Sequence, residues 1–157
     1  MKKLLVVMLA MVVLSSTNLE GAGLSSFYDL SLRMDMAKAR DLAIAYQEKP
    51  EVGQIYLDRS WKDSETVGQI TVLAVYEYND LFKSAVYKKY GKPTSFEETY
   101  WQNPFGAKWK GFRAYWSLER DSVWLLYEPL EGKLRTFLIL ETKEYTKAHS
   151  KKEDLKF

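Results

Sequence analysis

The side chains that could do chemistry in this sequence are carboxylates, aromatic rings and lysines. Cysteine is absent and His149 is the only histidine. Thiolate nucleophiles, disulfides, zinc fingers, iron–sulfur ligation and a histidine-rich metal site are thereby excluded. A Ser-His-Asp or Cys-His hydrolase needs a base beside its nucleophile, and the one histidine stands in a polar C-terminal stretch. No Gly-rich phosphate loop, dinucleotide fingerprint or two-histidine zinc motif occurs. Paired carboxylates suffice to hydrolyse a glycosidic bond, and three acidic groupings come closest. Glu97 and Glu98 are neighbours on an expected strand, which sends them to opposite faces. Glu119 and Asp121 flank an expected turn and read as solvated turn residues. Asp58, Asp63 and Glu65 share a loop but lack the spacing and central glycine of a Ca²⁺ loop. The expectation is a chain with no catalytic residue, no metal and no cofactor.

Aromatic residues are the compositional surplus. Ten fall within residues 96–127, and four of the five tryptophans are among them. Trp116 alternates with Ala114 and Leu118 and is expected in a sheet core. Trp101 shares a face with Glu97 and Thr99, Trp124 with Leu126 and Glu128, and Tyr115 with Arg113 and Ser117. On an outer sheet face these three rings form an exposed platform, which soluble proteins keep for a partner or a sugar. Residues 103–111 set Phe105 and Trp109 among Lys108, Lys110 and two glycines. Such punctuation predicts an irregular loop, its aromatics either folded back over the core or serving as binding anchors. In the second case Lys108 and Lys110 steer toward an acidic or carboxylate-bearing partner.

The elements that must position these residues are legible from periodicity. Residues 27–34 alternate apolar and polar, the period of a half-buried strand. Asp35 is a good N-cap, and Met36, Ala39, Ala43 and Tyr46 recur on one helix face until Lys49 and Pro50 stop it. A short strand is expected at 53–58, a polar turn at 59–65 and a long strand at 67–78 with Ile70, Val72, Ala74 and Tyr76 on one side. Asn79 reads as the cap of a second helix whose stripe is Leu81, Phe82, Ala85, Val86 and Tyr90, and Gly91 with Pro93 ends it. Lys88 and Lys89 suit the negative end of its dipole. Strands follow at 96–102, 112–119, 123–128 and 134–143, joined by short links that imply antiparallel neighbours. The fold class is α+β: two helices on an antiparallel sheet of about six to seven strands, with a possible repeat of helix-then-strands.

The N-terminus supplies an address. Lys2 and Lys3 precede an apolar run over 4–14, followed by small and polar residues. This is the plan of a secretory signal peptide, and the run is shorter than the roughly twenty residues a spanning helix needs. Cleavage before Leu24 fits Gly21 and Gly23, with a rival site after Ser15. The organisation is thus a signal peptide at 1–23, one domain at 24–145 and a polar tail at 146–157, expected as frayed helix or coil. Without a cysteine there is no lipid attachment point, so no stable membrane anchor is expected. The opening residues suggest a bacterial periplasmic or secreted protein. The formal charge of +2 is too balanced for a nucleic-acid partner.

The capped second helix, its ending Lys-Tyr-Gly-Lys-Pro at 89–93 and the tryptophan-bearing strands after it resemble small bacterial exported helix-plus-meander domains. These include outer-membrane assembly lipoproteins and beta-lactamase inhibitory protein. The resemblance is architectural, covers 27–145, and carries no family binding residue over. It implies a non-catalytic protein that presents a sheet face to another protein. Three functions remain in view: binding an envelope protein through the sheet face or loop, binding a glycan on Trp101, Trp109 or Trp124, and carboxylate-dependent hydrolysis.

Overall fold

The computed structural model describes residues 26–60, 62 and 64–153. The expected signal peptide, and the tail from 154 on, lie outside the described residues. The fold is α+β, with three helices, a six-stranded antiparallel sheet and a separate two-stranded hairpin among the described residues.

The alternation at 27–34 does not make one strand. Tyr28 and Arg33 take left-handed φ values of 52° and 66°, and the stretch turns back on itself as β1 (Ser26–Phe27) and β2 (Leu30–Ser31). Alternation reports which side chains are buried, not whether the chain runs straight, and Phe27, Leu30 and Leu32 do enter the core. Helix α1 (Met36–Gln47) is capped by Asp35, whose carboxylate accepts from Lys38 N at 2.9 Å, and buries Met36, Ala39 and Ala43. The β1–β2 hairpin is wedged between α1 and α2 (Asn79–Tyr90). Its Tyr28 ring stacks on Tyr46 at 4.9 Å, and its Phe27 ring lies 5.9 Å from Phe82.

Strands β3 (Val52–Arg59) and β4 (Val67–Ala74) follow α1. The strand expected to run to Tyr78 stops at Ala74, and a 3₁₀ turn, Tyr76–Tyr78, leads into α2. Four strands form a meander after α2: β5 (Ser95–Gln102), β6 (Lys108–Ser117), β7 (Asp121–Leu130) and β8 (Lys133–Thr142). Their order in the sheet is β3-β4-β8-β7-β6-β5. Each half does run helix-then-strands, but the second carries four strands against two, and all six form one continuous sheet.

Register fixes the two faces. Ile70, Leu140, Val123 and Trp116 form one cross-strand row toward the helices; Val72, Leu138, Leu125 and Ala114 form the next. All eight are buried, and each large aliphatic among them contributes about 1.5–3 kcal/mol by leaving water. Trp116 is core, as expected, with its Nε1 donating to Gly91 O at 3.1 Å and Tyr87 and Tyr90 against its ring. The C-terminal stretch is ordered as α3 (Lys143–Glu153). Thr142 Oγ1 accepts from Tyr145 N at 3.1 Å at its start, and Tyr145 is buried. No helix of the described residues is long and apolar enough to cross a membrane.

Asn79 is not the cap it resembles. Its side chain is buried and acts as a strand stub: Nδ2 donates to Leu134 O and Oδ1 accepts from Thr136 N, both at 3.1 Å. The reason is register, because β4 pairs with β8 only as far as Leu73↔Phe137, which leaves the start of β8 needing a peptide-like partner. Replacing Asn79 with Ala orphans both backbone groups and should cost about 1–3 kcal/mol. Urea denaturation of the Asn79→Ala variant measures this, and a loss below the error of extrapolation would show that solvent replaces the amide.

Candidate functional site: an aromatic sheet face and a protruding hairpin

The side of the sheet away from α1 and α2 receives the other half of every strand. Tyr56, Thr71, Ile139, Trp124 and Tyr115 lie in one cross-strand row, and Leu73, Phe137, Leu126 and Arg113 in the next. Trp124, Tyr115, Phe137, Ile139 and Leu126 are half-buried, and Tyr56 is 55% exposed. The Tyr115 and Trp124 rings sit 4.5 Å apart with a 43° tilt. Alternation tells which neighbours share a face with Trp101, Tyr115 and Trp124 but not which face is outer; the register puts all three, and Trp109, on this outer face.

At one end the apolar rows meet a polar row, Asp58, Gln69, Glu141 and Ser122. Glu141 is buried and accepts from Trp124 Nε1 at 2.9 Å, Gln69 Nε2 at 3.3 Å and Ser122 Oγ at 3.5 Å. These bonds fix the indole of Trp124. Tyr145 of α3 closes the same end, its hydroxyl donating to Asp58 Oδ2 at 2.5 Å. Burial first, and the Asp58 carboxylate second, push the Tyr145 phenol up from its ordinary pKa. The role of Glu141 was not readable from sequence, because a lone carboxylate near the end of an apolar strand reads as a solvent-facing residue. At the other end of the rows, Glu128 lies opposite Arg135 and pairs with Arg113 Nε at 2.6 Å.

Beyond this charged row the sheet narrows. β6 pairs with β5 from Lys108 to Tyr115, but with β7 only from Phe112 onward, and Glu128–Leu130 pair with β8 alone. Gly111 marks the parting. A Cβ there would fall 1.8 Å from Tyr127 O and 2.8 Å from the Trp101 ring, so only glycine allows the crossing. From here β5 and β6 continue as a two-stranded arm, with Trp101 directly opposite Trp109. The irregular loop expected over 103–111 is therefore shorter than its punctuation suggested. Only 103–107 form the turn, and Lys108 begins regular strand.

That turn is built around Asn103. Its Oδ1 accepts from Phe105 N at 3.0 Å and Ala107 N at 2.9 Å, while its backbone bonds Ala107 and Gly106, with Gly106 at φ 87°. Phe105 does not fold back; it stands at the tip, 95% exposed. Lys108 and Lys110 lie on the opposite face of the arm from Trp109. Lys110 is engaged there, 2.7 Å from Glu98 and over the Tyr100 ring. The ammonium of Lys110, and after it the Tyr100 hydroxyl, hold the Glu98 carboxyl below its ordinary range. Of the two lysines expected to steer a partner, Lys110 is thus neutralised within the arm and Lys108 is exposed.

Several members of the acidic groupings are bound within the fold, Asp58 by Tyr145 among them, and Asp63 lies outside the described residues. Glu97 and Glu98 do point to opposite faces, toward Arg113 and Lys110. Asp121, expected as a solvated turn residue, is 5% exposed and pairs with Arg33 at 2.7 Å. It is buried because Arg33, at the left-handed turn before α1, reaches across to the β6–β7 turn. No group of three or more metal-ligating side chains occurs among the described residues.

A small apolar pocket lies on the helix side, between β1 and α2, lined by Phe27, Phe82, Val86, Tyr90 and Leu138. Lys89 lies at its rim, exposed as a residue, with its ammonium donating to the Ser26 carbonyl and hydroxyl rather than to the end of its own helix. No protein-family model, characterised protein or solved structure matches this chain.

Burial lowers the Lys89 ammonium from 10.5 to about 8. The unfolded chain then holds more protons than the folded one between these values, so stability rises with pH across that window. Above about pH 10 the buried phenols Tyr28, Tyr90 and Tyr145, whose ionisation is pushed up by burial, oppose the gain. Denaturation of the wild type should therefore show higher stability at pH 9.5 than at pH 7.5, and Lys89→Met should abolish the difference. A lysine side-chain NMR titration in which every ammonium titrates near its ordinary value would contradict this account.

Proposed function

We propose that this is an exported, non-enzymatic binding protein of the bacterial periplasm or exterior, which docks another envelope protein through the tip of the arm and the outer sheet face. The observation that carries the reading is Phe105, 95% exposed on a turn whose backbone is held by Asn103. A large apolar side chain presented on a preorganised turn loses little entropy on entering a partner's pocket, the property of an interface anchor. Trp101 and Trp109 continue this surface along the arm, and Tyr115 and Trp124 carry it onto the sheet.

A glycan partner is the alternative. Sugar stacking favours coplanar rings along a groove, and the 43° tilt between Tyr115 and Trp124 supports a protein partner instead.

The test is a crosslinking pull-down from native envelope, with the wild type and the Phe105→Ala, Trp109→Ala double variant in parallel. A protein captured by the wild type and lost with the variant is the expected result. Capture by neither form, together with tryptophan quenching by glycan fragments, would move the reading to the sugar. Once a partner is in hand, Asn103→Ala should weaken binding about tenfold through loss of preorganisation, since it removes two hydrogen bonds of roughly 1 kcal/mol each. Calorimetric titration reads this, and an unchanged affinity would mean the tip is ordered by the partner.

A further inference from the structure

We propose that the apolar strip of the outer sheet face seats an amphipathic α-helix of the partner, with acidic residues along the flank that meets Arg135. This rests on the partner-binding reading above and specifies what the partner presents.

The strip is two rows deep: Ile139, Trp124 and Tyr115 on β8, β7 and β6 form one row, and Phe137 and Leu126 on β8 and β7 the other, with Leu73 already buried at its β4 end and Arg113 closing it on β6. Same-face rows lie about 7 Å apart and strands about 4.8 Å apart, so the strip measures roughly 14 by 14 Å. A helix with its side chains is about 10–12 Å across, and three turns, about 16 Å, cover the strip. A strand laid across the sheet would cover one row and leave the other wet. This face already seats one helix: α3 lies against β8 and β4, with Tyr145 over the polar row. The partner helix takes the neighbouring two rows.

Charge selects the kind of helix. Arg113 is neutralised by Glu128 at 2.6 Å. Arg135 is not satisfied in the same way: its Nε is buried without a hydrogen-bond partner among the described residues. Arg135 and Lys133 both lean on the Tyr76 ring, at 5.8 and 5.5 Å, which leaves two cations beside the strip. Lys133 is exposed and Arg135 half-buried, so together they set a positive flank that a partner's carboxylates complement. Glutamates on the flank of a docked helix that meets Arg135 and Lys133 are attracted, and lysines there are repelled.

The experiment titrates the protein with two synthetic helical peptides of about 14 residues, identical in their leucine stripe but bearing glutamate or lysine on the flanks. Binding is read by tryptophan fluorescence and calorimetry. The expected result is binding of the glutamate peptide at least about tenfold tighter than the lysine peptide, with Arg135→Glu reversing that preference. Leu126→Asp should abolish binding, and circular dichroism checks that both variants fold. Equal binding of the two peptides, or none, overturns the proposal. So does concentration-dependent self-association lost with Leu126→Asp, which would make the strip an interface between copies, and so does binding to lipid vesicles through the strip. If no peptide binds while the pull-down still captures a protein through Phe105, the helix is wrong and the partner-binding reading stands.

Discussion

A strand sends successive side chains to opposite faces, and in β7 and β8 this constraint is applied without interruption, over ten consecutive cross-strand pairs from Asp121↔Thr142 to Leu130↔Lys133. Once Val123, Leu125, Leu138 and Leu140 are buried against the helices, the facing of every other residue in these strands is decided. A slip of one position would drive Trp124 and Glu141 into the core and bring Val123 and Leu140 to the surface. The same parity passes to β6 through Tyr115↔Trp124 and to β5 through Trp101↔Trp109. The aromatic outer face is thus the reverse side of the hydrophobic core.

The two faces are stabilised by different physics. The helix side is held by burial, with Leu30, Ile70, Leu125 and Leu140 fully enclosed. The outer side is held at one end by polar bonds, with three donors on Glu141 and Tyr145 on Asp58, while at the same end of the sheet Arg33 joins Asp121, Glu144 and the Arg120 carbonyl. Arg33 therefore links the approach to α1, the β6–β7 turn and the start of α3. Buried polar groups are costly when left half-satisfied, and the concentration of satisfied ones under α3 explains why that helix stays on the sheet with a single buried aromatic. The neighbouring apolar rows have no such cover among the described residues.

Periodicity made the helices and most strands readable, because burial and period coincide in α1, α2, β4 and β6–β8. It failed where one residue type serves two purposes. Asn79 carries the chemistry of a cap, but an asparagine side chain also imitates a peptide group, and only the register of β8 decides between them. Gly111 reads as loop punctuation beside Pro104 and Gly106, yet its smallness serves a close crossing inside a strand. Arg33 and Asp121, 88 positions apart in sequence, each look solvent-facing until the fold brings them together. The aromatic candidates were legible as a surplus and by their alternation. Their common face required knowing which strands pair, and the exposure of Phe105 required the Asn103 turn.

The arm poses the remaining physical question, since a two-stranded ribbon beyond the sheet has little support of its own. Its stabilising contacts are local: Trp101 opposite Trp109, Trp101 lying against Gly111, and the Glu98–Lys110 pair under Tyr100. Cross-strand pairs of this kind contribute about 0.2–1 kcal/mol each. The free edge of β5 is guarded against strand addition by Glu97 and Glu98 on its two faces, as edge strands commonly are. An exposed phenylalanine at the end of such an arm adds nothing to folding and invites association. A ribbon stiffened by tryptophans and a turn fixed by Asn103 hold that ring away from the body of the protein, out of reach of the protein's own core.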